Sequence, residues 1–221
     1  MIADRKAFIQ ANTRLKRVAH VPEIVLHVAE ESVPIWQKTE EQLNEMGLPP
    51  PYWAFAWAGG QALARYVLDH PAQVAGYRVL DLAAGSGLVA IAAAMAGAAP
   101  VVAADIDAFT EAAIALNAEA NNVYIEIITQ DLLDIAAPET SRYDVILVGD
   151  LFYERDTAAR ALSFLDRNAA AGSSVLIGDP GRTYLPKDRL TRLAEYSVPV
   201  TRELEDMEIK RTLVWTLKVP G

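Results

Sequence analysis

Residues 79–98 read VLDLAAGSGLVAIAAAMAGA. An apolar run ends around Asp81, passes through Gly85-Ser86-Gly87, and opens into a stretch dominated by alanine. The first part has the length and unbroken hydrophobicity of a strand covered on both faces, and the second suits a helix. Glycines at a strand-to-helix turn let a ligand approach the backbone and meet the helix N-terminus. Neither common phosphate loop fits. Leu88 stands where a Walker lysine would be, and Gly87 is followed by Leu-Val-Ala, so the G-x-G-x-x-G fingerprint fails. Asp81 at the start of the turn would repel a pyrophosphate and attract an ammonium or sulfonium group. About 20 residues further on, Asp105 ends the next apolar run, where a carboxylate can accept both ribose hydroxyls.

Outward from this turn the chain alternates. A helical stretch from Gly59 to His70 precedes the strand 77–83, and helix 87–97 leads to strand 100–105. Helix 108–120, opened by Asp107 as a cap, leads to strand 124–131, and a short helical stretch leads to strand 143–150. Helix 155–171 leads to strand 173–179, and a helix over 186–196 precedes two final β-rich runs, SVPVTRELE and IKRTLVWTLKV. Continuous apolar strands between helices predict an α/β fold with a parallel sheet, closed by an antiparallel hairpin. Ligands in such folds sit beyond the carboxyl ends of the strands, where Asp105, Asp131, Asp150 and Asp179 fall.

Upstream, GLPPPYWAFAWAGG (47–60) marks a composition shift. Residues 1–50 read as an N-terminal extension with a strand-like run EIVLHV (23–28) and a helix around Trp36–Met46; residues 51–221 read as the main body. Trp53, Phe55 and Trp57 alternate as in a half-buried strand, which favours core positions for the first two. The 221 residues carry a net charge of −9 and no cysteine, which excludes disulfides, thiolate metal sites and cysteine nucleophiles. His20, His27 and His70 lack metal-ligand spacing, and no metal is expected. No basic face is visible for a nucleic acid, so a cationic partner such as a lysine-bearing surface suits the chain better. No apolar run is long enough for a membrane span, and the N-terminus lacks a secretory core, so a cytoplasmic location is expected.

VLDLAAGSG together with VVAADID resembles the class I, seven-strand S-adenosylmethionine-dependent methyltransferases. That resemblance covers roughly residues 77–221. It implies a Rossmann-like sheet of order 3-2-1-4-5-7-6 with strand seven antiparallel, and S-adenosylmethionine as cofactor with S-adenosylhomocysteine as product. It further implies that Gly85, Ser86 and Gly87 line the methionine part, that Asp105 and its neighbour Ile106 hold the ribose side, and that Asp131 lies near the adenine amino group. Asp131 reads equally well as a helix cap. Asp81 would assist the cofactor's amino end.

Two segments narrow the resemblance: YWAFAWAGGQALARYVL (52–68) and VGDLFYE (148–154). They are similar to the protein-lysine methyltransferase branch with a D-x-x-Y motif, here Asp150-Leu-Phe-Tyr153, and in particular to the family that methylates the electron transfer flavoprotein β-subunit. By that analogy Trp57 and Gly60 border the cofactor pocket, Asp150 touches both cofactor and acceptor, and Asp150, Tyr153 and Glu154 form the catalytic entrance for lysine. Glu154 has a second reading as a first-turn acid favoured by the helix dipole. The implied partner is the flavoprotein. Rival readings are a ribosomal-protein lysine methyltransferase, a nicotinamide-type small-molecule N-methyltransferase, and an inactive binding module. The ribosomal family begins its acceptor motif with asparagine, where this chain has Asp150.

Overall fold

The computed structural model describes residues 4–29, 50–134, 142–200 and 208–218. Its centre is a seven-stranded sheet. The strands are β3 (Val79–Leu82), β4 (Val101–Ala104), β5 (Glu126–Ile128), β6 (Val145–Gly149), β7 (Ser174–Asp179), β8 (Leu190–Pro199) and β9 (Ile209–Leu217). Their order is β5-β4-β3-β6-β7-β9-β8, parallel through β7, with β9 antiparallel to both β7 and β8. This is the sheet order that the resemblance to class I methyltransferases implies.

Burial on both faces explains why the inner strands read as unbroken apolar runs. Val79, Leu147 and Leu176 pack with α2 (Ala58–Asp69), α3 (Leu88–Met95) and α4 (Ala108–Ala120) on one side. Leu80, Ile146, Val148, Val175 and Ile177 meet α5 (Arg155–Ala170) on the other. Side chains alternate between faces along each strand, so apolar residues follow one another, with the buried acids Asp81 and Asp179 as exceptions toward the carboxyl ends.

Two expectations are corrected. The helix read over 186–196 is a strand: only Lys187–Arg189 form a 3-10 turn, and β8 follows. The apolar spacing of Leu190, Leu193 and Ala194 mimics a helix, but a bulge between Arg192 and Ala194 produces it. The extra residue, Leu193, flips the strand. Leu190 packs with the α5 side, whereas Ala194 and Val198 pack with the opposite face. Second, the half-buried strand read through Trp53, Phe55 and Trp57 is a 3-10 turn, Tyr52–Ala54, followed by extended chain. Trp53 and Phe55 are nonetheless buried, with Trp53 stacked on Phe109 at 5.9 Å. The helix expected at Trp36–Met46 lies outside the described residues, as do 201–205 of the first final β run and most of the short helical stretch before β6.

The described N-terminal part forms α1 (Arg5–Asn12) and a hairpin of β1 (Arg14–Val18) and β2 (Val21–Val28). It shares the core of the body: Ile24 and Leu26 are fully buried against the α2–α4 side, and Ile9 joins Trp53 and Phe109. Asn117 and Asn121 on α4 act as clamps. Asn121 exchanges hydrogen bonds with the Val25 backbone (3.0 and 2.7 Å), and Asn117 accepts from His27 N at 2.7 Å while donating to Ser86 O at 2.8 Å. One buried amide thus ties the hairpin to the glycine turn. No helix among the described residues is long and apolar enough to cross a membrane.

Candidate active site

A cleft of about 790 Å³ opens at the carboxyl edge of the sheet, lined by residues from the ends of β3, β4 and β6, from the segments after β5 and β7, and from the 52–57 segment. The turn quoted at the outset forms its floor. Gly85 (φ 51°) and Gly87 (φ 78°) both take left-handed conformations, where a side chain is strained. Gly87 also caps α3, and a Cβ there would lie 3.0 Å from Ile114 Cγ1. Gly85 lines the cleft; Gly87 shapes the turn behind it. With no side chain on Gly87 to cap α3, Asp81 does so from the strand: its Oδ2 accepts Ala90 N at 2.9 Å. Burial, with Asp105 adding to it, pushes the Asp81 carboxyl up to about 8.

Asp105 stands at the next strand end. Its oxygens accept Gly85 N at 2.9 Å and Asp107 N at 3.0 Å, which fixes the carboxylate at the cleft wall. Burial raises its pKa and those hydrogen bonds oppose the rise. Ile106 beside it is 73% exposed and lines the mouth. Asp107 caps α4 through Phe109 N at 2.9 Å, as expected. Beyond β5, Asp131 is held by Arg160 at 2.7 Å, and Arg160 also grips Asp134; the Arg160 hydrogen bond keeps the Asp131 carboxyl below its ordinary range. Asp131 also accepts Leu133 N at 3.0 Å, a local turn contact, while its side chain lines the cleft.

The other end of the cleft is built around Asp150, a non-glycine residue at φ 56°. Aspartate is among the few side chains that tolerate this region, because it can bond locally. Its Oδ2 accepts Gly60 N at 3.0 Å, and its Oδ1 accepts Arg182 Nε at 3.1 Å and Nη2 at 2.8 Å. The Arg182 guanidinium also lies 5.8 Å from the centre of the Trp57 ring. Tyr52 joins this wall, 6.0 Å from Trp57 and 5.7 Å from Tyr153 between ring centres, and its carbonyl accepts Trp57 Nε1 at 2.9 Å. Tyr153 is 49% exposed and its hydroxyl pKa is raised, chiefly by partial burial. A small recess adjoins the cleft between Gly60, Asp81, Ser86 and Asp150.

The family model of ribosomal protein L11 methyltransferase (PrmA) matches residues 61–151. The electron transfer flavoprotein beta subunit lysine methyltransferase of Danio rerio is 37% identical over 219 residues, 96% of this chain and 83% of that protein. Its Homo sapiens counterpart is 36% identical over 217 residues, 95% of this chain and 80% of that protein. The chain belongs to the electron transfer flavoprotein beta subunit lysine methyltransferase family. Among solved structures, the ribosomal protein L11 methylase of Lactobacillus delbrueckii subsp. bulgaricus aligns with TM-score 0.51 at 22% identity, covering 75% of this chain and 81% of that one, a likeness of fold.

For a member of this family the cofactor is S-adenosylmethionine, and the residues present fit it. Asp105 suits the ribose hydroxyls, Asp131 stands further along the same wall, and the recess at Gly60, Asp81, Gly85 and Ser86 offers a buried acid for the amino end. Of the residues singled out in the sequence, Trp57, Gly85, Asp105, Ile106, Asp131, Asp150 and Tyr153 share the main cleft. Glu154 does not line it. Both its oxygens cap α5, accepting Asp156 N at 2.9 Å and Thr157 N at 2.7 Å, and these bonds lower its pKa to about 2. Sequence reasoning missed Tyr52, Gly59, Arg160 and Arg182. A Cβ on Gly59 would overlap the Gly178 carbonyl and crowd Asp150 Oδ2, whereas one on Gly60 would have ordinary contacts at 3.9 Å. The close approach of α2 to β7 therefore rests on Gly59, that to β6 on Gly149 against the Gly60 backbone, and Gly60 also contributes its N–H.

Proposed function

We propose that this protein transfers methyl groups from S-adenosylmethionine to lysine side chains of an electron transfer flavoprotein β-subunit. The observation that carries the reading is the joining of two sets of groups in one cleft: the Asp105 wall for a nucleoside, and the Trp57–Arg182–Asp150–Tyr153 cluster beside it. The cofactor supplies an activated methyl group on a positively charged sulfur. Transfer is an in-line displacement in which the amine lone pair forms the N–C bond as the S–C bond breaks toward sulfur. The product ammonium then loses a proton to water. The acceptor must therefore arrive as a neutral amine, although a free lysine titrates near about 10.4.

The chain's own residues meet three needs. Tyr52, Trp57 and Tyr153 wall the entrance and strip water from the amine, which favours its neutral form. Asp150, locked by Gly60 N–H and Arg182, orients the incoming nitrogen. The rigid turn at 83–87 and the Asp105 wall set the donor's position, and alignment supplies most of the acceleration. No metal is needed for this chemistry.

The test is intact-mass analysis of purified electron transfer flavoprotein after incubation with enzyme and S-adenosylmethionine. A gain of one or more methyl masses on the β-subunit is expected. An unmodified flavoprotein, with labelled ribosomal protein L11 in a parallel reaction, would move the assignment to the family whose model matches residues 61–151.

A further inference from the structure

We propose that Arg182 sets the protonation state of the acceptor amine: its guanidinium neutralises Asp150 and presents a fixed positive charge at the lysine entrance, so the bound lysine is held as the free amine. The proposal deepens the methyltransferase reading and rests on it. The difficulty it resolves is specific to this cleft. Asp150 is fixed at the acceptor end, and an unpaired carboxylate there would stabilise the ammonium form, which cannot attack. An opposite charge within about 4–6 Å commonly moves a pKa by about 1–3 units toward the charged form.

Arg182 is built into that position. Its backbone N–H and that of Gly181 donate to Asp179 Oδ1 at 2.7 and 2.6 Å, pinning the turn after β7. Its side chain crosses to Asp150 on the neighbouring strand end and places both Nε and Nη2 on one oxygen, while Gly60 N–H takes the other. The Trp57 ring lies over the guanidinium, and the pair is only 22% and 10% exposed at Arg182 and Asp150. A guanidinium does not release its proton at any working pH, so the charge persists beside an amine and a sulfonium; a lysine in its place could neutralise.

The other charged groups facing this corner are few. Asp179 lies behind Arg182, with Oδ2 buried and without a hydrogen-bond partner among the described residues, and burial lifts its carboxyl to about 6. Tyr52 and Tyr153 form the aromatic wall, Asp105 lies across the cleft, Lys187 approaches Gly181, and Asp81 shares the adjoining recess with Asp150, so the limb is also followed in Asp81→Asn. A limb belonging to Asp179 would vanish in Asp179→Asn and can be told apart in that way.

The experiment is the pH dependence of kcat at saturating substrates for wild type, Arg182→Met, Arg182→Lys and Asp150→Asn, with S-adenosylhomocysteine affinity and circular dichroism measured on each. The acid limb of kcat reports the bound amine. In Arg182→Met it should move up by about one unit or more, costing about tenfold in turnover near neutrality, with the rate recovered at high pH. Arg182→Lys, whose charge can be lost beside the amine, should give a limb between those of wild type and Arg182→Met. Asp150→Asn, which removes the carboxylate charge that Arg182 offsets, should move the limb down, and it decides the matter if Arg182→Met does not fold. An unmoved limb with a lowered plateau at every pH would overturn the proposal while leaving the methyltransferase reading intact. Absence of methylation by the wild-type enzyme would instead remove that reading.

Discussion

Asp81 is 2% exposed, and its one described hydrogen bond is from Ala90 N, so its charge is poorly compensated within the fold. Its pKa rises from 3.8 in the ordinary group to about 8 in the fold, chiefly by burial. The folded state then binds more protons than the unfolded chain between those values, so stability falls as pH rises across that window. Asp105 is raised in the same direction, and Asp179 to about 6, so Asp81 carries part of the slope rather than all of it. Asp81→Asn keeps an oxygen for Ala90 N and removes the titration. Thermal unfolding followed by circular dichroism at pH 5 to pH 8, without cofactor, should show a shallower fall of Tm in Asp81→Asn than in wild type. Equal slopes would mean that water or a counter-charge already relieves the buried acid.

At the scale of elements, the seating of α2 decides where Asp150 and the aromatic wall stand. Gly59 lies where a Cβ would overlap the Gly178 carbonyl, and Gly178 where a Cβ would overlap the Gly59 carbonyl, so helix and strand touch backbone to backbone. Backbone cannot yield as a flexible side chain can, and Gly59→Ala is expected to cost about 3 kcal/mol in urea denaturation. Gly60→Ala, whose new methyl would meet only Leu88 and Val89 at 3.9 Å, should stay close to wild type in the same measurement. The start of α5 gives a second case. Glu154 caps it through two backbone N–H groups, and its pKa near about 2 means that its stabilisation is present above the ordinary carboxylate value of 4.5 and is lost as pH falls through that lower one. Glu154→Ala should lower Tm at pH 7 and leave kcat near wild type; a collapse of kcat with Tm unchanged would restore it to the lysine entrance. The inner strands, the glycine turn and Asp105 were legible because burial on both faces and a ligand-facing turn leave local marks. Strand β8 was not, since the bulge at Leu193 replaced alternation with helix-like spacing. Arg182 was hidden for another reason: its partner lies 32 residues upstream, and nothing local says that two neighbouring strand ends will meet. The available signal was the repeat of Gly149-Asp150 as Gly178-Asp179, two strand ends of the same form side by side in the sheet.

Across the whole molecule, charge acts on encounter more than on fold. The cleft itself is nearly balanced: Asp105, Asp107, Asp131 and Asp150 line it against Arg5, Arg160 and Arg182. The net charge of −9 therefore resides largely elsewhere, and it draws a lysine-bearing surface toward the protein over distances at which no contact yet exists. Small cofactor and large substrate should respond differently to salt. The cofactor meets paired, partly buried groups, which ions screen weakly; the protein substrate meets an exposed field that decays within about 10 Å at 0.1 M salt. Raising ionic strength from about 0.05 M to about 0.5 M should lower kcat/KM for the protein substrate about threefold or more, with the loss in KM, because association steered by charge slows. Over the same range the Kd for S-adenosylhomocysteine, measured by calorimetry, should change little. A salt-independent kcat/KM would show that recognition rests on shape at the cleft mouth, and would direct attention to the exposed rings of Tyr52 and Tyr153, 44% and 49% accessible, as the docking groups.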